Sequence, residues 1–172
     1  QSGDFVWSYP LRVPPAPAGP QPSLALGYSS GSVDGRTGST NNQPSWVGEG
    51  WDMSVGFVER SYASCASDTA GGSPATGDLC WKGQNLTLSL DGHSGELVRD
   101  SGTGAWRLRS DDGSRIEQLT GADNGDDDGE HWRLSTPDGT QYYFGLNKLP
   151  GWALGNETTQ SAWTVPVFGN QA

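Results

Sequence analysis

Trp106-Arg107-Leu108-Arg109-Ser110-Asp111-Asp112-Gly113-Ser114 and Trp132-Arg133-Leu134-Ser135-Thr136-Pro137-Asp138-Gly139-Thr140 follow one pattern, W-R-L-x-S/T-x-D-G-S/T. Each copy alternates apolar with polar residues and then reaches Asp-Gly, where glycine tolerates the positive φ of a tight turn. The chain leaves through Ile116 in the first copy and Tyr142-Tyr143-Phe144 in the second, so each reads as strand, turn and returning strand. Upstream, Leu86, Leu88 and Leu90 alternate with Thr87 and Ser89, Asp91-Gly92-His93-Ser94-Gly95 makes a turn, and Glu96-Leu97-Val98-Arg99 returns. Repeated hairpins predict an all-β chain, either a sandwich or a twisted multi-hairpin antiparallel sheet. The copies are too few to establish an open-ended repeat array.

Composition agrees with this class. Among 172 residues, 26 Gly and 11 Pro supply turns, only 33% are hydrophobic, and no segment has the length and period of a helix. The 8 Trp and 5 Tyr offset the scarce aliphatics, because each large ring buries roughly 150–250 Å². The length suits a single β domain over 1–172, in three stretches: 1–62, a cysteine loop at 63–84, and the hairpins of 85–172.

In the first stretch, Asp4 to Tyr9 is a β-prone run that stops at Pro10, and Val13 to Pro20 is a stiff Pro-rich connector. This N-terminal segment is expected to pack along the sheet. Leu24, Leu26 and Tyr28 share one face of a period-two run, and a polar loop, exposed or ligand-facing, covers Ser29 to Pro44. Trp51, Met53, Val55 and Phe57 are spaced by two and read as one long strand or a bulged pair.

A net charge of -10 and a pI near 4.4 oppose binding to nucleic acid phosphates or acidic membrane surfaces. No stretch approaches the ~20 apolar residues of a membrane-crossing helix, and the start QSGDFVWSYP lacks the pattern of a signal peptide. The alternation of Trp163, Val165 and Val167 runs into Phe168-Gly169-Asn170 without a closing signal. An excised piece of a longer polypeptide is the expectation.

Cys65 and Cys80 flank a turn-rich stretch containing Gly71-Gly72-Ser73-Pro74, and read as a local disulfide; the alternative is two separate buried thiols. Closing a loop of that length stabilises by about 3 kcal/mol in the chain-entropy model. Zinc is disfavoured, because only His93 and His131 accompany the cysteines. The nucleophile-elbow, zinc-protease and phosphate-loop motifs are missing, His93 reads as an exposed turn residue, and a pair such as Glu49 and Asp52 is unavoidable among twenty acids. Catalysis is not expected and no cofactor is required.

Two local sites stand out. Asn124, Asp126 and Asp128 have the N-x-D-x-D-G spacing of calcium loops, which places alternate oxygens around one cation. Position twelve is Ser135, so Glu130 would have to supply the missing carboxylate; the alternative is a solvated acidic hairpin loop. Trp46, Trp51 and Trp152, flanked by glycines, are candidates for stacking on glycans, against the plainer reading as core anchors.

The run W-S-Y-P-L-R-V-P-P-A-P-A-G-P-Q-P-S-L-A-L-G-Y-S-S-G from Trp7, followed by W-V-G-E-G-W-D from Trp46, resembles the opening segment of secreted bacterial RHS/YD-repeat proteins. D-G-T-Q-Y-Y-F-G-L from Asp138 resembles a hairpin of the same family, which includes SpvB-like and toxin-complex members. The resemblance covers most of the chain, with 1–62 as the SpvB-like part. The acidic insert and cysteine pair look most like the large extracellular polymorphic-toxin members of actinobacteria.

The resemblance implies a non-catalytic structural segment ahead of the YD repeats, in proteins whose hairpins spiral into a shell around a C-terminal toxin or effector. The implied partner is the remaining YD-repeat shell of the same polypeptide, outside the cell. This sequence departs from the full pattern in having no evident YD repeat, self-cleavage region or toxin domain, so encapsulation does not belong to these residues alone. The alternatives are a module binding cell-wall glycans and, less favoured, a glycoside-acting enzyme.

Overall fold

The computed structural model describes residues 3–19, 21–33, 45–53, 55–67, 77–81, 83, 85–90 and 92–168. Their contacts group into two compact units, Gln1–Val55 and Gly56–Ala172. The described chain is all-β and antiparallel, with short 3₁₀ turns at Ser30–Ser32 and Cys65–Ser67 and no α-helix among the described residues.

The first unit holds β1 (Val6–Pro10), β2 (Ala25–Ser29) and β3 (Trp51–Met53) in the order β1-β2-β3. The Pro-rich connector is the loop of the β1–β2 hairpin. Leu11 N–H donates to the Leu24 carbonyl at 2.8 Å where the loop closes, and of the described residues between them only Val13 is more than marginally shielded. At the other end of the hairpin, Asp4 accepts from Gly31 N–H at 2.7 Å, Ser30 Oγ at 2.8 Å and Ser29 Oγ at 2.9 Å.

The second unit is a seven-stranded sheet with a small side pair. Its strands are β4 (Phe57–Arg60), β7 (Leu86–Ser89), β8 (Gly95–Arg99), β9 (Trp106–Leu108), β10 (Arg115–Leu119), β11 (His131–Ser135) and β12 (Gln141–Phe144). β5 (Ala63–Ser64) and β6 (Leu79–Cys80) form the side pair, joined by the Cys65–Cys80 disulfide. The order β12-β11-β10-β9-β8-β7-β4 is a meander from β7 onward, with β4 added at its far edge. Trp51, Met53, Val55 and Phe57 therefore do not make one strand or a bulged pair. Gly56 takes φ +81° between them, and that left-handed turn sends β3 and β4 into separate sheets that each keep the period-two alternation.

Both W-R-L copies form hairpins through their Asp-Gly turns. Gly113 and Gly139 take φ +81° and +87°, while Asp112 and Asp138 accept from the N–H groups of Ser114 and Thr140 at 2.9 and 3.0 Å. The register Trp106↔Ile116↔Leu134 points the Trp and Leu of each copy inward and the Arg outward. Leu86, Leu88, Leu97, Trp106, Leu108, Ile116, Trp132 and Leu134 make one buried core, in which Trp106 and Trp132 meet edge to face at 5.3 Å. On the outer face Arg133 bonds Glu117 at 2.9 Å across neighbouring strands. The two sheet edges approach each other: a Cβ on Gly56, beside β4, would lie 3.4 Å from the Phe144 ring of β12. Residues 145–168 carry no strand, and the Trp163, Val165, Val167 alternation ends in a single parallel bridge between Phe168 and Cys80.

The turn carboxylates link this fold to pH. Hydrogen bonds from Thr136 and Thr140 hold Asp138 below the usual carboxylate range, as those from Thr103 and Gly102 do for Asp100 and those from Gly31 and Ser30 do for Asp4. A carboxyl whose folded pKa is depressed contributes stability that is present above its unfolded value and lost as pH falls through the folded one. Urea unfolding midpoints are expected to be level from neutral pH to about pH 5 and to drop below about pH 4. Asp138→Asn should make that drop shallower while lowering the neutral-pH midpoint.

Candidate functional site

The densest polar cluster lies at one mouth of the curled sheet, around Glu130. Arg60 and Gln118 face inward because they sit two residues beyond Val58, which packs on the core, and the buried Ile116. Glu130, just ahead of β11, receives the Arg60 guanidinium and Gln118 Nε2 (2.6 Å) on Oε2, and Trp132 Nε1 (3.0 Å) on Oε1. Gln118 Oε1 in turn accepts from Trp106 Nε1 at 3.1 Å. The Arg60 and Glu130 side chains are only 10% and 19% exposed, so water screens this pair weakly. Arg60 also lies 5.3 Å over the Trp81 ring, which meets Tyr62 edge on at 5.5 Å; its Nη1 has no hydrogen-bond partner among the described residues. Burial pushes the Tyr62 hydroxyl above its usual range.

The residues read as a calcium loop are therefore given other partners. Asn124 Nδ2 donates to the carbonyls of Glu130 and Gly145, both at 2.8 Å, and its Oδ1 accepts from Asp126 N–H at 3.1 Å. Asp126 Oδ2 accepts from Glu130 N–H at 3.0 Å, and Gly129, at φ +73°, packs where a Cβ would fall 2.2 Å from the Ala122 carbonyl oxygen. Burial raises the Asp126 carboxyl, but bonds from Glu130 N–H and Asp128 and the charge of Arg60 outweigh it, leaving it below its usual range. Its hydrogen bond with Asp126 raises Asp128. The loop is a self-bonded acidic hairpin with Glu130 turned into the sheet. Among the described residues no His, Cys, Asp or Glu group of metal-holding size is gathered.

The three tryptophans proposed for glycan stacking are divided between the units. Trp46 and Trp51 belong to the first unit and Trp152 to the second. Trp46 is 63% exposed, whereas Trp51 packs against Tyr28 at 5.3 Å and Trp152 Nε1 is bonded to the Asn156 and Glu157 carbonyls at 3.1 and 3.2 Å. The more extensive aromatic face is one the alternation Phe5, Trp7, Tyr9 already held. The register Trp7↔Tyr28↔Trp51 and Tyr9↔Leu26↔Met53 sets these side chains on one side of the three-stranded sheet. Phe5, Trp7 and Tyr9 are 60%, 57% and 57% exposed.

His93, read as an exposed turn residue, is instead a clasp. Its Nδ1 lies 2.6 Å from Asp112 Oδ2 and 3.3 Å from Ser114 Oγ, joining the β7–β8 turn to the β9–β10 turn. A Ser-His-Asp relay needs the two partners on opposite ring nitrogens, so this cluster braces turns. On the outside, Arg99, Arg107 and Arg115 line an open groove of about 660 Å³ with Asp111 and Glu117, and the Arg115–Glu117 ion pair spans 2.9 Å. Parts of several expected features lie outside the described residues: Pro20 of the connector, 34–44 of the polar loop, 68–76, 82 and 84 of the cysteine loop, Asp91 of the β7–β8 turn, and Gly169 and Asn170.

No family model, curated protein or solved structure matches this chain. No helix among the described residues is long and apolar enough to cross a membrane. With Glu130 and Asn124 already bonded, the thermal midpoint is expected to differ by no more than about 1 °C between millimolar calcium and chelator, since a ligand must bind the folded state to raise it. A larger rise, lost in Asp126→Asn with Asp128→Asn, would assign the loop a cation.

Proposed function

We propose that the chain is a non-catalytic structural segment of the envelope of a secreted RHS-type toxin or cell-surface protein. The remaining YD-repeat polypeptide packs on the aromatic face of the first unit. One observation carries this reading: no described residue of that unit is buried, yet Phe5, Trp7, Tyr9, Leu26, Tyr28, Trp51 and Met53 share one side of its sheet. A few short strands need a covered apolar face for independent stability, so this face is half of a core.

The ring geometry favours a protein cover over a sugar. Phe5 and Tyr28 meet at 55° and Tyr28 and Trp51 at 56°, the tilted contacts of packed interiors, whereas a stacking platform presents its rings in one plane. The Cys65–Cys80 bond suits an oxidising, extracellular compartment. The second unit, with its interior filled by leucine and tryptophan, supplies a rigid hairpin block of the kind a shell wall is built from.

A photoreactive benzoylphenylalanine placed at Tyr9 in the natural protein tests the reading. Cross-links to β segments of the same polypeptide are expected. Cross-links to wall glycan, together with glycan binding by the isolated chain that is lost in Trp7→Ala, would replace it with the carbohydrate-binding reading.

A further inference from the structure

We propose that the Cys65–Cys80 disulfide is a redox latch that holds a strap, residues 160–168, to the rest of the second unit. At its far end the strap is tied to β6 by backbone: Phe168 N–H donates to the Leu79 carbonyl at 2.9 Å, and Trp81 N–H donates to the Phe168 carbonyl at 3.1 Å; at its near end Ser161 Oγ lies 3.2 Å from Thr159 Oγ1. Among the described residues, these are the backbone hydrogen bonds that join 160–168 to the rest of the unit. Of its side chains Trp163, Val165 and Phe168 are 77%, 49% and 45% exposed, while Ala162 and Val167 are half-buried.

The strap thus depends on β6, and β6 depends on β5. That pair is only two residues long, Ala63↔Cys80 and Ser64↔Leu79, extended by Cys65 N–H to the Asp78 carbonyl at 2.9 Å. Strands this short do not persist on their own pairing. The covalent bond across them supplies what the ladder lacks, and both cysteines are buried at 1% and 0% exposure.

Reduction by a dithiol transfers two electrons and two protons to the bond, leaving the Cys65 and Cys80 thiols and the reductant's own disulfide. β6 can then part from β5 and lose its extended form, so that Phe168 no longer has a strand to bridge. In an oxidising compartment the strap stays latched; in a reducing one its Trp163 and Val165 edge is free to pair elsewhere. Because the sulfurs are buried, the latch opens only through a local fluctuation that admits the reductant.

Hydrogen exchange on the whole chain tests this, comparing the oxidised protein, the protein held in a dithiol without denaturant, and Cys65→Ser with Cys80→Ser. The double variant supplies the unlatched state even if the native bond resists the reagent. Exchange at the Trp81 and Phe168 amides is expected to rise by about tenfold or more, while Ile116 and Leu134 in the meander stay protected. Unchanged protection at Trp81 and Phe168 in the double variant would overturn the proposal. So would equal loss at Ile116 and Leu134, which would make the bond a support of the whole unit.

Discussion

The ion pair between Arg60 and Glu130 joins opposite ends of the strand order, β4 at one edge and the start of β11 near the other. Hydrogen bonds between neighbouring strands fix a sheet's register but leave its curvature free. A contact across the interior, between strands that are not neighbours, constrains that curvature. Glu130 makes such a contact and at the same time receives Gln118 and the Trp132 indole. The core tryptophans are oriented from the same point, since Gln118 also holds the Trp106 indole nitrogen. Burial of this pair is costly unless each charge is well bonded, and a lone Arg60 in that mouth would be strongly unfavourable.

The two units solve the problem of scarce aliphatic residues differently. In the second, Trp106 and Trp132 lie inward among five leucines and Ile116, with their ring nitrogens bonded, so large aromatics complete a thin core. In the first, aromatics of comparable size are left more than half exposed on one face. The same residue types thus build a finished interior in one place and an unfinished one in the other. That contrast is why the functional reading rests on the first unit and the mechanical one on the second.

What could be read from the sequence followed local rules. The Asp-Gly turns, the inward Trp and Leu of each W-R-L copy, the β7–β8 hairpin and the Cys65–Cys80 pairing all depend on spacing within a few residues or on closing one short loop. What escaped needed long-range placement. Arg60 and Glu130 are 70 residues apart, and nothing nearby in sequence marks them as partners. Acidic spacing read Glu130 as a calcium ligand and carried no sign that Arg60, Gln118 and the Trp132 indole would bond its carboxylate. His93 and Asp112 meet only because two hairpin turns fall side by side. The periodic run through Trp51 and Phe57 hid a break, after which Val58 and not Phe57 turns to the core.

A double-mutant cycle on Arg60→Met and Glu130→Gln, measured by urea unfolding, tests most directly whether this pair closes the sheet. Each single change is expected to cost about 3–5 kcal/mol, and the double change to cost less than their sum by more than about 1 kcal/mol. Additivity within about 0.5 kcal/mol would contradict the account and leave the curl to backbone twist and the leucine core alone.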